Sequence, residues 1–391
     1  MKGRVLLAMM LVTTVLSAPV LSTTALSTTV QSAKVQELPY QVTIVAEDLN
    51  YPWSLAFMAD GSYLVTERTG KLKHLSAKGT LLAEVAPALP GLYVAAQGGV
   101  LEVLLPAAFH QNQQLLLSYV CGDDKANTLC LASARWQQGQ LTDIQQIFKA
   151  KPYRQGAAHY GGRMVQLPDN SILLTLGDGF DYREQAQNPA NHLGKIIRLQ
   201  SDGSIPADNP FVGQAGFASE IYSMGHRNVQ GIVWDNAANR VYSHEHGPRG
   251  GDELNIIEPG KNYGWPVATR GIDYTGARVS PFRQYPGMQE PIWHWSPSIA
   301  PAGMTLYQGS LFANWQGDLF VTALAGKALH HLQIKEGKVV AEQKLLTERN
   351  QRLRDVRTGP DGALYLLTDS DKGQLLRLSP QPEPATSAQV Q

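Results

Sequence analysis

With 33 basic against 33 acidic residues in a chain of 391, the formal net charge is zero, which speaks against nucleic acid or an anionic membrane surface as a partner. A hydrophobic share of 43% is ample for a core. Length alone allows two domains or one large β architecture, and the internal repeats described below decide for one.

The chain begins with Lys2 and Arg4, the apolar run VLLAMMLVTTVL, and then small residues including Ser17, Ala18, Thr23 and Ala25. That order is the pattern of a secretory signal peptide, assigned here to residues 1–27. The run is shorter than the ~20 apolar residues a membrane span needs. No cysteine follows it to carry a lipid, so the expected location is periplasmic or secreted, with no stable membrane insertion of the mature chain. A flexible linker rich in Ser, Thr and Gln is expected over residues 28–40. The two cysteines, Cys121 and Cys130, flank GDDKANTL between the strand-like runs LLLSYV and LASARW. An oxidising compartment favours a disulfide across that hairpin loop, and two buried thiols are the alternative that spacing leaves open.

From residue 41 to 379 the chain repeats a unit of roughly forty residues: apolar strand, Asp/Asn/Gly turn, apolar strand, polar loop, closing strand. The first copy is LAFMADGSYLVTERTGKLKHL, and the second runs from GGVLEVLL through LLLSYV to LASARW. GGRMVQLPDNSILLTLGDG closing on GKIIRL is the third, and IVWDNAANRVYSHEHGPRGGDELNII the fourth. MTLYQGSLFANWQGDLFVTAL closing on ALHHLQI is the fifth, and VRTGPDGALYLLTDSDKGQLLRL the sixth. Turns at Asp60-Gly61, Pro168-Asp169-Asn170 and Pro360-Asp361-Gly362 supply the backbone geometry that tight hairpins demand. Each unit is therefore a small antiparallel sheet. One such sheet cannot bury both faces, whereas radial stacking closes the apolar layer, so the expected fold is an all-β, six-bladed β-propeller of four-stranded antiparallel blades. Residues 380–391 are too poor in apolar side chains to order themselves.

In a propeller the loops at one end converge on the axis, so polar residues far apart in sequence can meet. Gln97 in AAQGGV, His159 in AAHYGGR, Arg227 and Asn228 in GHRNVQG, Lys327 in ALAGK, and Arg352 and Arg354 in RLRDVR stand at one phase of the repeat. Such a set suits a flat polyanion beside a group that gives up a proton, because Arg forks pair with carboxylates and His titrates near neutrality. Salt bridges between blades are the competing role for the arginines. The segment from Gly225 to Trp265 adds a Gly247-Pro248 turn, the acidic pair Asp252 and Glu253, and a loop through Tyr263.

Taken together and in order, QGG, HYGGR, GHRNVQG, HGPRGGDELN, NYGWP and RLRDVRTGPDG closely resemble the soluble quinoproteins of the glucose/sorbosone dehydrogenase family, over Tyr51 to Leu378. The resemblance implies a six-bladed propeller that holds pyrroloquinoline quinone (PQQ) and Ca²⁺ and oxidises aldose sugars. It implies that His159 is the general base taking the proton of the anomeric hydroxyl, and that Gln97, Arg227, Asn228, Tyr274, Ala323, Lys327, Arg352 and Arg354 contact PQQ. It further implies calcium at the carbonyls of Gly247 and Pro248, with Glu253 and the carbonyl of Tyr263 at a calcium site in the same loop, hard oxygen donors of the kind Ca²⁺ takes. The sequence departs from the family's pattern where a lysine is expected directly after Ala323-Leu324: Ala325 stands there, and Lys327 comes two residues later. Ala158 precedes His159, so no carboxylate is adjacent to orient the imidazole, and Tyr160 or a backbone carbonyl is expected to serve.

The chain has no CxxCH haem site, so the sequence does not name the electron acceptor; a cytochrome and a quinone are the candidates. Two other classes share the expected fold: a calcium-dependent lactonase, which needs Asp, Glu and Asn side chains on the axis, and a noncatalytic binding module, which needs neither His159 nor the arginines. The aromatics of WHWSPS, Trp293 to Ser298, either stack on a sugar or pack between blades, with packing preferred.

Overall fold

The computed structural model describes residues 40–382. The expected signal peptide, nearly all of the linker and residues 383–391 of the tail lie outside the described residues. Six four-stranded sheets form a ring, the six-bladed β-propeller expected from the repeats. All pairings within them are antiparallel. The innermost strands of the successive blades are Pro52–Phe57, Val100–Leu104, Gly161–Gln166, Val229–Asp235, Pro301–Leu306 and Leu353–Thr358, and each touches the next around the axis.

The turns that open these blades share one device. Asp60 accepts from the Ser62 N–H at 2.9 Å, Asp169 from Ser171 at 3.0 Å and Asp361 from Ala363 at 3.2 Å. A short carboxylate that bonds its own backbone two residues on stabilises the reversal. Gly61, Asn170 and Gly362 then take the positive φ that brings the next strand back. Between blades, alternating strand residues interdigitate: Leu101, Leu116 and Leu131 of the second blade meet Met164, Ile172 and Ile197 of the third.

The last blade is completed from the other end of the chain. Tyr40–Leu49 pairs with Gly373–Pro380 as its outermost strand, so the sixth repeat supplies three strands and the N-terminal segment the fourth. Cys121 and Cys130 form a disulfide between Gln114–Gly122 and Asn127–Gln137. No helix among the described residues is long and apolar enough to cross a membrane.

A charged hub closes the axis. Arg163, 2% exposed, lies 3.9 Å above the Trp53 ring and 3.9 Å from Glu102, and it donates to the carbonyls of Gln230 at 2.9 Å, Ala302 at 3.4 Å and Arg354 at 3.1 Å. Its Nη1 lies 3.0 Å from Asp355, and Arg357 bridges Asp355 and Glu102 from the far side. One guanidinium thus touches all the other innermost strands. Its neighbours Trp53, Gln230 and Arg354 also line the cavity at the axis.

Candidate active site

That axial cavity, about 410 Å³, brings together Gln97, Asn228, Arg352 and Arg354 of the expected set. Arg354 leaves the innermost strand of the last blade, and Asp369 follows the strand Leu364–Thr368 beside it. Each arginine places two nitrogens on one carboxylate oxygen, Arg352 at 2.9 and 2.8 Å and Arg354 at 3.2 and 3.0 Å. Burial alone would push the Asp369 carboxyl up, but Arg354 and Arg352 outweigh it and hold it below the ordinary carboxylate range. Arg68 also lines the cavity, 4.9 Å from the Tyr51 ring, with its pKa lowered by burial and by Arg354. Neither Asp369 nor Arg68 was singled out from the sequence, since each reads locally as a turn residue.

His159 adopts φ 55°, a left-handed conformation that costs a residue bearing a side chain about 1–3 kcal/mol. Its N–H donates to Gln97 Oε1 at 2.9 Å. Gly177 leaves room for it: a Cβ there would lie 2.1 Å from the His159 carbonyl oxygen. The imidazole Nδ1 stands 2.8 Å from Asp178 Oδ1. The other carboxylate oxygen accepts from the Trp265 indole at 2.8 Å, and Oδ1 also accepts from the Phe180 N–H at 2.8 Å. A carboxylate only accepts, so Nδ1 carries the proton and Nε2 presents the lone pair. Burial pushes the His159 pKa down, Asp178 pulls it back in part, and Arg227 and Arg154 push it down further. The expectation that Tyr160 or a carbonyl orients the ring is therefore corrected. Tyr160 donates instead to Asn127 at 2.7 Å, and the orienting acid is Asp178, from the LGDG turn after Ile172–Leu176.

A second cleft of about 310 Å³ is lined by Phe180, Arg227, Pro248, Trp265 and Tyr274. His159 lines neither space itself, but Gln97, which accepts its N–H, borders the cavity, and Phe180, which packs on its ring, borders the cleft. The Phe180 ring meets the imidazole edge-on at 4.9 Å and stacks with Tyr274 at 6.2 Å. Arg227 donates to Gly247 O at 2.7 Å, His246 O at 3.2 Å and the Tyr274 hydroxyl at 3.4 Å. Ala323 and Lys327 are not brought to either space. Ala323 is fully buried in the strand Leu319–Ala323, Lys327 sits at φ 47° in an exposed turn, and Leu324 lines the cavity in their place. Trp293–Trp295 forms the outer strand of the fourth blade, with the Trp295 indole donating to Glu342 at 2.7 Å, so this stretch packs between blades.

Gly247, Glu253 and Tyr263, together with Glu245, border a void of about 10 Å³ behind Arg227. Burial and the neighbouring Glu245 push the Glu253 carboxyl well above the ordinary carboxylate range. Glu245, not foreseen from the sequence, faces the His226 Nδ1 at 3.0 Å. Asp252, its neighbour in sequence to Glu253, is committed elsewhere: it accepts from the N–H groups of Gly247, Ile299 and Ala300 at 2.8, 2.7 and 3.0 Å. Among the described residues no three His, Cys, Asp or Glu side chains gather as a metal site, so a cation here would depend on backbone carbonyls.

Comparison with known proteins agrees with this geometry. The family model described as Glucose / Sorbosone dehydrogenase matches residues 49–377. Aldose sugar dehydrogenase YliI of Escherichia coli is 39% identical over 346 residues, spanning 87% of this chain and 93% of that protein. The crystal structure of the soluble aldose sugar dehydrogenase from Escherichia coli in its apo-form superposes with a TM-score of 0.84 at 38% identity, covering 88% of this chain and all (100%) of that one. The PQQ-bound aldose sugar dehydrogenase from Streptomyces coelicolor gives a TM-score of 0.72 at 28% identity, covering 87% and 98%. A dyad of His159 and Asp178 beside an arginine-lined axial cavity, on a propeller matched over nearly its whole length, identifies the chain as a member of the glucose/sorbosone dehydrogenase family of oxidoreductases.

Proposed function

We propose that the protein oxidises the anomeric carbon of aldose sugars to lactones with PQQ and Ca²⁺, in the periplasm or outside the cell, and passes the electrons to a cytochrome or quinone. The observation that carries this is the His159–Asp178 pair, tied through the His159 N–H to Gln97 of the cation-lined cavity and packed against Phe180 of the aromatic cleft. The donor set fits a tricarboxylate quinone: Arg68, Arg352 and Arg354 offer charge, Gln97 and Asn228 offer amides, and Trp53 offers a flat apolar face. For a hard cation, Gly247 and Tyr263 would offer carbonyl oxygens at the small void that Glu245 and Glu253 also border, while Pro248 lines the aromatic cleft instead. When bound, the quinone supplies a hydride acceptor and the cation polarises it.

The remaining work falls to the chain. His159 Nε2 takes the proton of the C1 hydroxyl while the C1–H hydride leaves, so that the C1–O bond becomes the lactone carbonyl. Asp178 stabilises the imidazolium that forms and keeps the ring from turning. Phe180 and Tyr274 wall the cleft and would lie against a pyranose ring, excluding water from the proton being moved. Arg227 holds the Gly247 carbonyl and the Tyr274 hydroxyl in register.

The test is dye reduction by glucose and other aldoses after mixing purified protein with PQQ and Ca²⁺, with and without chelator. Reduction that needs both additions is expected. Lactone hydrolysis without PQQ, or no reaction of either kind, would overturn the assignment.

A further inference from the structure

Arg154 has no carboxylate partner among the described residues, although it is only 4% exposed. Its guanidinium is spent entirely on backbone. Nη1 donates to Gly156 O at 3.0 Å and Gln155 O at 3.4 Å, while Nη2 donates to Ala158 O and, at 3.3 Å, to His159 O. The plane of the fork lies 4.2 Å over the Tyr160 ring. A buried cation satisfied only by carbonyls is expensive to keep, and one that grips four carbonyls of a single loop fixes that loop's path.

Two further contacts anchor the clamp. The Arg154 backbone pairs both ways with Asn127, at 3.0 and 2.9 Å, and the Asn127 side chain receives the Tyr160 hydroxyl. Gly179, between Asp178 and Phe180, takes φ 80°, and a Cβ on it would lie 2.4 Å from Arg154 Cδ. The arginine stem therefore runs directly beneath the turn that carries Asp178. Arg154 bonds the His159 carbonyl and lies against Gly179, the residue after Asp178, without a hydrogen bond to the imidazole or the carboxylate.

We propose that Arg154 is the positioning residue of the active site: its planar fork holds the Ala158 and His159 carbonyls, and so keeps His159 in the left-handed conformation that presents Nδ1 to Asp178. The inference rests on His159 being the base. Lysine cannot replace it, because a single ammonium on a flexible stem does not present the same fixed planar donors. The charged and titratable groups that face His159 are Asp178, Arg154, Arg227 and His246. Loss of the Arg154 cation removes one of those that oppose its protonation.

The experiment compares Arg154→Met and Arg154→Lys in the full chain by three measurements. Histidine-selective ¹⁵N NMR without added cofactor reads the tautomer and titration of His159. Absorbance titration reads PQQ affinity, and dye reduction across pH reads turnover. Both variants are expected to lose the single Nδ1–H tautomer signal and to turn over about 100-fold more slowly, with PQQ affinity within about threefold of the parent. Arg154→Met should also move the His159 titration to higher pH, whereas Arg154→Lys, which keeps the charge, should not. An unchanged His159 signal and turnover in folded variants would overturn the proposal. So would a parallel loss of melting temperature and PQQ affinity with the tautomer and pH profile intact, the mark of a purely structural arginine. Should the parent fail to oxidise any aldose with PQQ, the functional reading falls, while the NMR comparison still decides what Arg154 does to His159.

Discussion

Asp178 holds His159 at 2.8 Å through one carboxylate oxygen and the Trp265 indole at 2.8 Å through the other, so the acid is itself fixed before it fixes the imidazole. Asp178→Asn keeps the shape but offers an amide in place of an anion. It is expected to lower kcat by ~10²–10⁴-fold with the melting temperature little changed. Steady-state kinetics beside thermal unfolding check this, and undiminished turnover would remove Asp178 from the site.

The pH dependence of turnover has a definite sign. Burial first, and then the nearby arginines, push His159 below its ordinary pKa, so it stays neutral and able to accept a proton in mildly acidic solution. The rate should fall with decreasing pH through a value below ~6.5. A profile of kcat/KM against pH locates that limb, and a midpoint well above neutrality is incompatible with this base.

Arg352 and Arg354 share Asp369 but differ in access, with side chains 46% and 11% exposed. The more buried fork is the stronger electrostatic partner for a bound carboxylate. Arg354→Ala should weaken PQQ binding by ~10–100-fold and Arg352→Ala by less than about tenfold. Equilibrium titration gives both constants, and the opposite ranking would contradict the assignment.

The axial hub predicts a stability effect remote from chemistry. Asp355→Asn leaves Arg163 and Arg357 without one of their two buried acids, and removing one partner of such a cluster costs about 3–5 kcal/mol. Urea unfolding at constant m-value measures it. A loss under 1 kcal/mol would mean that water reaches the hub.

His244 is fully buried, and burial pushes its pKa down to about 3. The unfolded chain binds its proton near the ordinary value of ~6.5, so between these limits the unfolded state holds more protons. This group's contribution is therefore complete above about pH 6.5 and is lost as pH falls, with a slope of about 1.4 kcal/mol per pH unit. His244→Gln should flatten the acid side of the stability profile, as followed by denaturant titration at several pH values.

The propeller is legible from sequence because its punctuation is local: Asp60, Asp169 and Asp361 each bond a residue two positions on, within the span a reader can scan. The arginines and amides of the cavity are legible for the same reason, since they recur beside glycines at one phase of the unit. Asp178 was hidden because an acid between two glycines looks like any turn, and its partner lies in another loop. Lys327 stands at the right phase of the repeat, but the positive φ there breaks the alternation that carries a side chain to a chosen face, which its neighbours in the sequence do not reveal. Pairing of the first strand with the last leaves no local trace at all.

That closing pair joins Gln41 to Ser379, positions 338 residues apart. A ribosome adding ~5–20 residues per second needs on the order of tens of seconds to travel between them. Throughout that interval Gly373–Pro380 does not yet exist, and Tyr40–Leu49 has no partner edge. The ring therefore cannot lock while the chain is being made from its front end, and the leading strand waits until Gly373–Pro380 has been added to latch it.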